Sequence, residues 1–131
     1  MIKVLICGSG ELGKELTLEL QKLDVYVIAM DKYENAPAMQ VSDEYYVCNM
    51  LDANELRKAI NMIKPNYIVP EVESIAVDVL SEAEKNNITV IPNSKSVKIT
   101  MNRELIRKLA AETLQLKTSQ YLFANNKSEL I

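Results

Sequence analysis

Histidine is absent from all 131 residues, which excludes Ser-His and Cys-His nucleophile pairs, imidazole general bases and histidine-containing metal sites within the chain. Any chemistry must use carboxylates, lysines, arginines or backbone groups. Cysteine is scarce: Cys7 lies in the first apolar run and Cys48 ends the third. Both read as small core hydrophobes rather than as a disulfide. The apolar run Val25 to Met30 is far too short for a bilayer span, and Ile2 already starts a strand where a basic-then-apolar leader would stand. The expectation is a soluble, cytoplasmic protein that binds no membrane. Net charge is −3 with a pI near 5.1, and basic and acidic residues alternate along the presumed helices. With no basic stripe, nucleic acid is not an expected partner.

Glycine is the most informative scarcity. The chain has 3 glycines, and all fall in Gly8-Ser9-Gly10-Glu11-Leu12-Gly13, directly after the apolar run Ile2-Lys3-Val4-Leu5-Ile6-Cys7. Spending every glycine on one strand-to-helix turn removes the Cβ atoms that would keep the backbone from folding sharply or approaching a ligand. It also leaves N–H groups at a helix N-terminus free for an anion or polar group.

Apolar, β-branched runs recur at 2–7, 25–30, 45–48, 67–69 and 88–91, alternating with helical stretches at 11–23, 52–63, 74–86 and 102–114. Continuously apolar strands between helices predict an α/β fold, a doubly wound parallel sheet covered on both faces. Asp52 and Glu55 form a capping box, and Ser94 caps a short turn before Lys98. Pro70 and Pro92 are expected to stop strand pairing at the sheet's C-terminal edge, placing Glu71, Glu73 and Asn93 where ligands of such sheets bind. Gln120 to Phe123 reads as a short strand and Ser128 to Ile131 as the cap and first turn of a helix. The domain is expected over 1–116, with 117–131 starting a linker or next domain, so the chain reads as the N-terminal portion of a longer protein.

GSGELG matches GxGxxG after a strand, and Asp31 follows the second strand about where a ribose-binding acid lies. On pattern alone this is a dinucleotide site. Against it stands Glu11, whose carboxylate next to the second glycine repels a pyrophosphate but can accept hydrogen bonds from an amine or from ribose hydroxyls. Glycines at this turn also permit close helix–strand packing with no ligand.

GSGELGKE at 8–15, DKYENAPAM at 31–39, NMLD at 49–52, KPNYIVPEVE at 64–73 and TMNRELIRKLAAE at 100–112, in this order and spacing, resemble the N-terminal domain of the formate-dependent phosphoribosylglycinamide formyltransferases, ATP-grasp enzymes of purine synthesis. PEVE combined with TMNRE carries the specificity; the glycine turn alone is shared with biotin carboxylases and the related carboxylase of purine synthesis. The resemblance implies a Rossmann-like pre-ATP-grasp domain and an ATP-driven formylation of glycinamide ribonucleotide through formyl phosphate. It places Glu11, Leu12 and Glu71 against glycinamide ribonucleotide and Arg103 against the ATP phosphates, with Gly8, Gly10, Gly13, Asp31 and the APA at 36–38 shaping the site. Carboxylates suit a glycyl amine or ribose hydroxyls, and a guanidinium suits phosphate. Taken singly, Glu71 reads as a solvated residue and Arg103 as a surface partner of Glu104 or Asp52.

By the same resemblance no catalytic residue and no metal ligand lies in this chain, because the metal-binding acids and nucleotide-clamping residues fall beyond Ile131. Formate, ATP and Mg2+ belong to the full-length enzyme, a homodimer, and the fragment alone is expected to hold no cofactor and to catalyse nothing. Asp24 stands where relatives have Gly, and Gln40 where many carry His. Two other readings remain: an NAD-binding regulatory module, and the N-terminal domain of another ATP-grasp carboxylase.

Overall fold

The computed structural model describes residues 1–130. They divide into two compact units, Met1–Val97 and the stretch from Lys98 onward.

The first unit alternates β1 (Lys3–Cys7), α1 (Glu11–Gln21), β2 (Tyr26–Asp31), β3 (Glu44–Val47), α2 (Ala53–Ile63), β4 (Tyr67–Pro70), α3 (Val77–Lys85) and β5 (Thr89–Val90), and ends in the first half of α4 (Ser94–Met101). The strands form one parallel sheet in the order β3-β2-β1-β4-β5. The chain moves outward from β1 to β2 and β3, then crosses back to β4 and β5. Right-handed crossovers in opposite directions place α1 on one face and α2 and α3 on the other. The doubly wound α/β sheet expected from the strand and helix alternation is therefore present.

Burial explains the unbroken apolar strands. Leu5, Ile6, Cys7, Val27, Ala29 and Met30 are each 0% exposed, since the middle of the sheet is covered on both sides. On one face Val4, Ile6 and Val27 pack against Leu16 and Leu20 of α1. A 3₁₀ turn, Pro37–Gln40, lies beside α1 and buries Ala38 and Met39. Farther along that face Val4, Tyr67, Val69 and Ile91 border an apolar groove of about 420 Å³.

Strand β4 ends at Pro70, opposite Cys7, as the sequence led us to expect. Just beyond it the N–H groups of Glu71 and Val72 both donate to the Cys7 carbonyl, at 2.8 and 3.1 Å. Several other boundaries differ from the sequence expectation for local reasons. Half of the capping box forms: the Asp52 carboxylate accepts from the Asn54 and Glu55 N–H groups at 2.8 and 3.1 Å, while Glu55 reaches past it to the Asn49 N–H at 3.0 Å. Residues 94–101 are a helix rather than a short turn. Its start is capped by Asn93, which accepts from the Ser96 N–H at 2.9 Å, and Ser94 instead donates its hydroxyl and N–H to Glu84 of α3 at 2.5 and 2.9 Å. Asp24 takes a positive φ of 57°, a conformation Asp tolerates better than most residues.

In the second unit, α5 (Arg103–Lys108) is capped by the Asn102 side chain and passes into a π-helical turn, Leu109–Thr113. Residues 120–123 form no strand. A 3₁₀ turn covers Lys127–Leu130, and Ile131 lies outside the described residues.

Candidate functional site

All C-terminal strand ends face one edge, and the chain reverses direction between β1 and β4, which opens a crevice there. The glycine turn after β1 and the loop after β4 meet in it. Gly8 has φ +124°, and a Cβ there would run into the Glu71 carboxylate and the Val72 side chain. The first glycine therefore exists to let Glu71 lie over the turn. Gly13 serves packing: a Cβ would stand 2.5 Å from the Gly8 carbonyl oxygen, so glycine lets α1 press against its own entry turn. Gly10 is different, because a Cβ there would meet nothing within 4 Å and its φ of −71° suits any residue. Gly10 faces open space in the crevice.

That space is a cleft of about 270 Å³ bordered by Gly10, Asp31, Lys32, Tyr33, Asn49, Met50, Leu51, Glu71, Val72 and Ser74. No side chain caps α1, and its first backbone bond runs from the Lys14 N–H to the Gly10 carbonyl at 2.9 Å. The N–H groups of Glu11, Leu12 and Gly13 thus have no intrahelical acceptor. The Glu71 carboxylate is partly buried, and no hydrogen bond or ion pair engages it among the described residues. A carboxylate beside orphan N–H groups offers a ligand both acceptors and donors.

The turn is held from the β2 side. The Gly8 N–H donates to the Met30 carbonyl at 2.9 Å and the Ala38 N–H donates to the Ser9 carbonyl at 2.9 Å. The carboxylate of Asp31, a residue 7% exposed, accepts from the Ser9 N–H through Oδ2 and from the Lys32 N–H through Oδ1, each at 2.8 Å. Ser9 Oγ is buried without a partner among the described residues.

The structure therefore brings Gly8, Gly10, Asp31 and Glu71 together. Glu11 and Leu12 are exposed in the first turn of α1, Leu12 at 68%; they adjoin Gly10 but do not border the cleft. Glu73 is exposed outside it, and Asn93 is engaged as a helix cap. Arg103 belongs to the second unit, where it is exposed and has no partner among the described residues. Sequence reasoning missed Lys32, Tyr33, Asn49, Leu51 and Ser74. A usable signal was present: Tyr33 and Leu51, 49% and 64% exposed, are large apolar residues in otherwise polar loops after the second and third strands, at the edge where ligands bind. Among the described residues, no group of three or more His, Cys, Asp or Glu could hold a metal ion.

Burial sets the thiol chemistry. It pushes the Cys7 thiol up to about 12, helped by the nearby Cys48. Burial likewise raises Cys48 to about 11, helped by the charges of Glu55 and Asp52. Neither is a nucleophile at neutral pH.

The ribonucleotide synthetase preATP-grasp domain family matches residues 1–101. Formate-dependent phosphoribosylglycinamide formyltransferases are similar across nearly the whole chain: that of Hydrogenovibrio crunogenus is 54% identical over 97% of the chain and 32% of its own length, and that of Pseudomonas syringae pv. tomato 58% identical over 94% and 31%. The chain spans about a third of the length of these curated relatives. Among solved structures, glycinamide-RNase-transformylase T from Mycobacterium tuberculosis superposes with a TM-score of 0.88 at 37% identity, covering 90% of this chain and 37% of that one. N5-carboxyaminoimidazole ribonucleotide synthetase from Thermotoga maritima, at TM-score 0.85 and 24% identity over 98% of this chain and 35% of that one, shares the fold.

Proposed function

Because the chain belongs to the ribonucleotide synthetase preATP-grasp domain family, we propose that it is the part of a formate-dependent glycinamide ribonucleotide formyltransferase that holds the ribonucleotide. The observation that carries this reading is the Glu71 carboxylate, without a partner among the described residues, lying over Gly8 beside the uncapped start of α1. Glu71 accepts hydrogen bonds from the ligand's amine or ribose hydroxyls, and the N–H groups of Glu11 and Leu12 receive its acceptor atoms. The Glu11 carboxylate, at the mouth of the turn, adds a second acceptor and opposes a pyrophosphate.

Arg103, exposed and without a partner among the described residues, contacts ATP phosphates in the assembled enzyme. The remaining ATP contacts, the Mg2+ ligands and the groups that carry formyl transfer belong to polypeptide outside this chain, which does not catalyse the reaction by itself. The longer protein works in the cytoplasm as a homodimer.

The test is titration of the isotope-labelled chain with glycinamide ribonucleotide, followed by amide NMR. Saturable shifts concentrated at Gly10, Glu11, Leu12 and Glu71 in about the millimolar range are expected, since only part of the site is present. No response at about ten times that concentration, or micromolar binding of NADH instead, would overturn the reading.

A further inference from the structure

Asp31 stands where a dinucleotide fold places the acid that reads an adenosine ribose. Such an acid must offer its oxygens to hydroxyl groups of the ligand. Here both oxygens are directed at the protein's own backbone: Oδ2 accepts from the Ser9 N–H and Oδ1 from the Lys32 N–H, each at 2.8 Å. Asp31 as a residue is 7% exposed, and no cation pairs with its carboxylate among the described residues. One N–H group lies in the glycine turn, 22 positions away in sequence, and the other belongs to the next residue, at the root of the loop carrying Tyr33. We infer that Asp31 is a positioning residue. It holds the glycine turn against the start of the loop carrying Tyr33, and with the residue only 7% exposed its remaining lone pairs are poorly presented to the ribose hydroxyls of a nicotinamide dinucleotide.

The physical reason for a carboxylate at this position is its acceptor count. The two N–H donors reach different oxygens of one side chain, and a carboxylate accepts from both without turning a hydrogen toward either. Asparagine keeps one acceptor and points an NH₂ at the other donor; alanine keeps neither. Leaving a buried donor unsatisfied costs enough to open the bond locally by roughly ten- to a hundredfold.

The naming of the ligand rests on the proposed function, so the experiment has one arm that does not. In the first arm, amide hydrogen exchange is measured by NMR on the chain, on Asp31→Asn and on Asp31→Ala. Ser9 and Lys32 should exchange at least about tenfold faster in Asp31→Ala, beyond any acceleration at Leu5 and Ile28, which report the sheet. Asp31→Asn should release at least one of the two amides, and it decides the matter if Asp31→Ala does not fold. Equal acceleration of all four amides would reduce Asp31 to a general structural residue and overturn the proposal. So would unchanged exchange at Ser9 and Lys32. In the second arm each protein is titrated with glycinamide ribonucleotide and with NADH. The ribonucleotide response at Gly10 and Tyr33 should weaken about tenfold in the variants, with no NADH response in any of them. Micromolar NADH binding by the unaltered chain, lost in the variants, would make Asp31 a ribose acceptor and refute the inference. If the unaltered chain ignores both ligands, the proposed function fails and the exchange arm still judges the clamp.

Discussion

Replacing each glycine by alanine separates three physical reasons for using the same residue. At Gly8 an alanine would have to hold φ near +124°, a region that costs other residues on the order of 1–3 kcal/mol. Its Cβ would also displace Glu71 and Val72 and crowd the Val72 backbone nitrogen at 3.1 Å, an overpacking of about 1–3 kcal/mol. The sum is about 2–6 kcal/mol, a large share of a small domain's stability. At Gly13 the added Cβ meets the Gly8 carbonyl oxygen at 2.5 Å, which costs about 1–3 kcal/mol but is offset by about 1 kcal/mol of helix propensity. The net is roughly 0–2 kcal/mol. At Gly10 the Cβ enters open space, so the unfolded-state gain of about 0.4–1 kcal/mol nearly cancels alanine's poorer capping, roughly 0.5 kcal/mol. Urea unfolding followed by far-UV circular dichroism should rank the losses Gly8 above Gly13 above Gly10. A loss above about 1.5 kcal/mol for Gly10→Ala, or below about 0.5 for Gly8→Ala, would refute the reasoning at the two positions where it is sharpest. The same Gly10→Ala protein should bind glycinamide ribonucleotide more weakly than the unaltered chain, because its methyl group occupies the cleft.

Glu71→Gln should leave the melting temperature nearly unchanged while weakening glycinamide ribonucleotide binding roughly ten- to a hundredfold, the loss of one charge-assisted hydrogen bond; binding within about twofold would make Glu71 a bystander. Cys7 and Cys48, held at about 12 and about 11, should resist a thiol-specific disulfide reagent at pH near 8 in the folded chain and react together in urea; rapid labelling of the native protein would contradict their burial. Asp52→Ala should cost about 1 kcal/mol through the loss of the α2 cap, read as a lower urea midpoint at unchanged slope. Glu84 is held below its ordinary 4.5 by the Ser94 hydroxyl and N–H. It therefore contributes stability above that value that is lost as pH falls through the lowered one. Ser94→Ala should be less stable at neutral pH, and its stability should approach that of the unaltered chain as the solution is acidified. A gap that stayed constant with pH would show that the carboxylate bond is not its source.

The sequence by itself determined the fold class. Apolar strands without alternation, set between amphipathic helices, admit a parallel sheet covered on both faces, and the clustered glycines fix one strand-to-helix turn at its C-terminal edge. It also carried the family resemblance, because PEVE and TMNRE are local strings. What it left undecided were contacts between residues distant along the chain. Only tertiary structure brought Glu71 over Gly8, through a parallel pairing that sets Pro70 opposite Cys7. Only tertiary structure turned Asp31 inward to Ser9, 22 positions away, when the motif alone aimed it at a ribose. The same limit explains Ser94, a plausible cap by local pattern, whose hydroxyl is taken by Glu84 from a neighbouring helix while Asn93 caps in its place. Side-chain spacing along one element is written in the sequence, whereas the partner that a polar group finds depends on which strand ends the crossovers bring together.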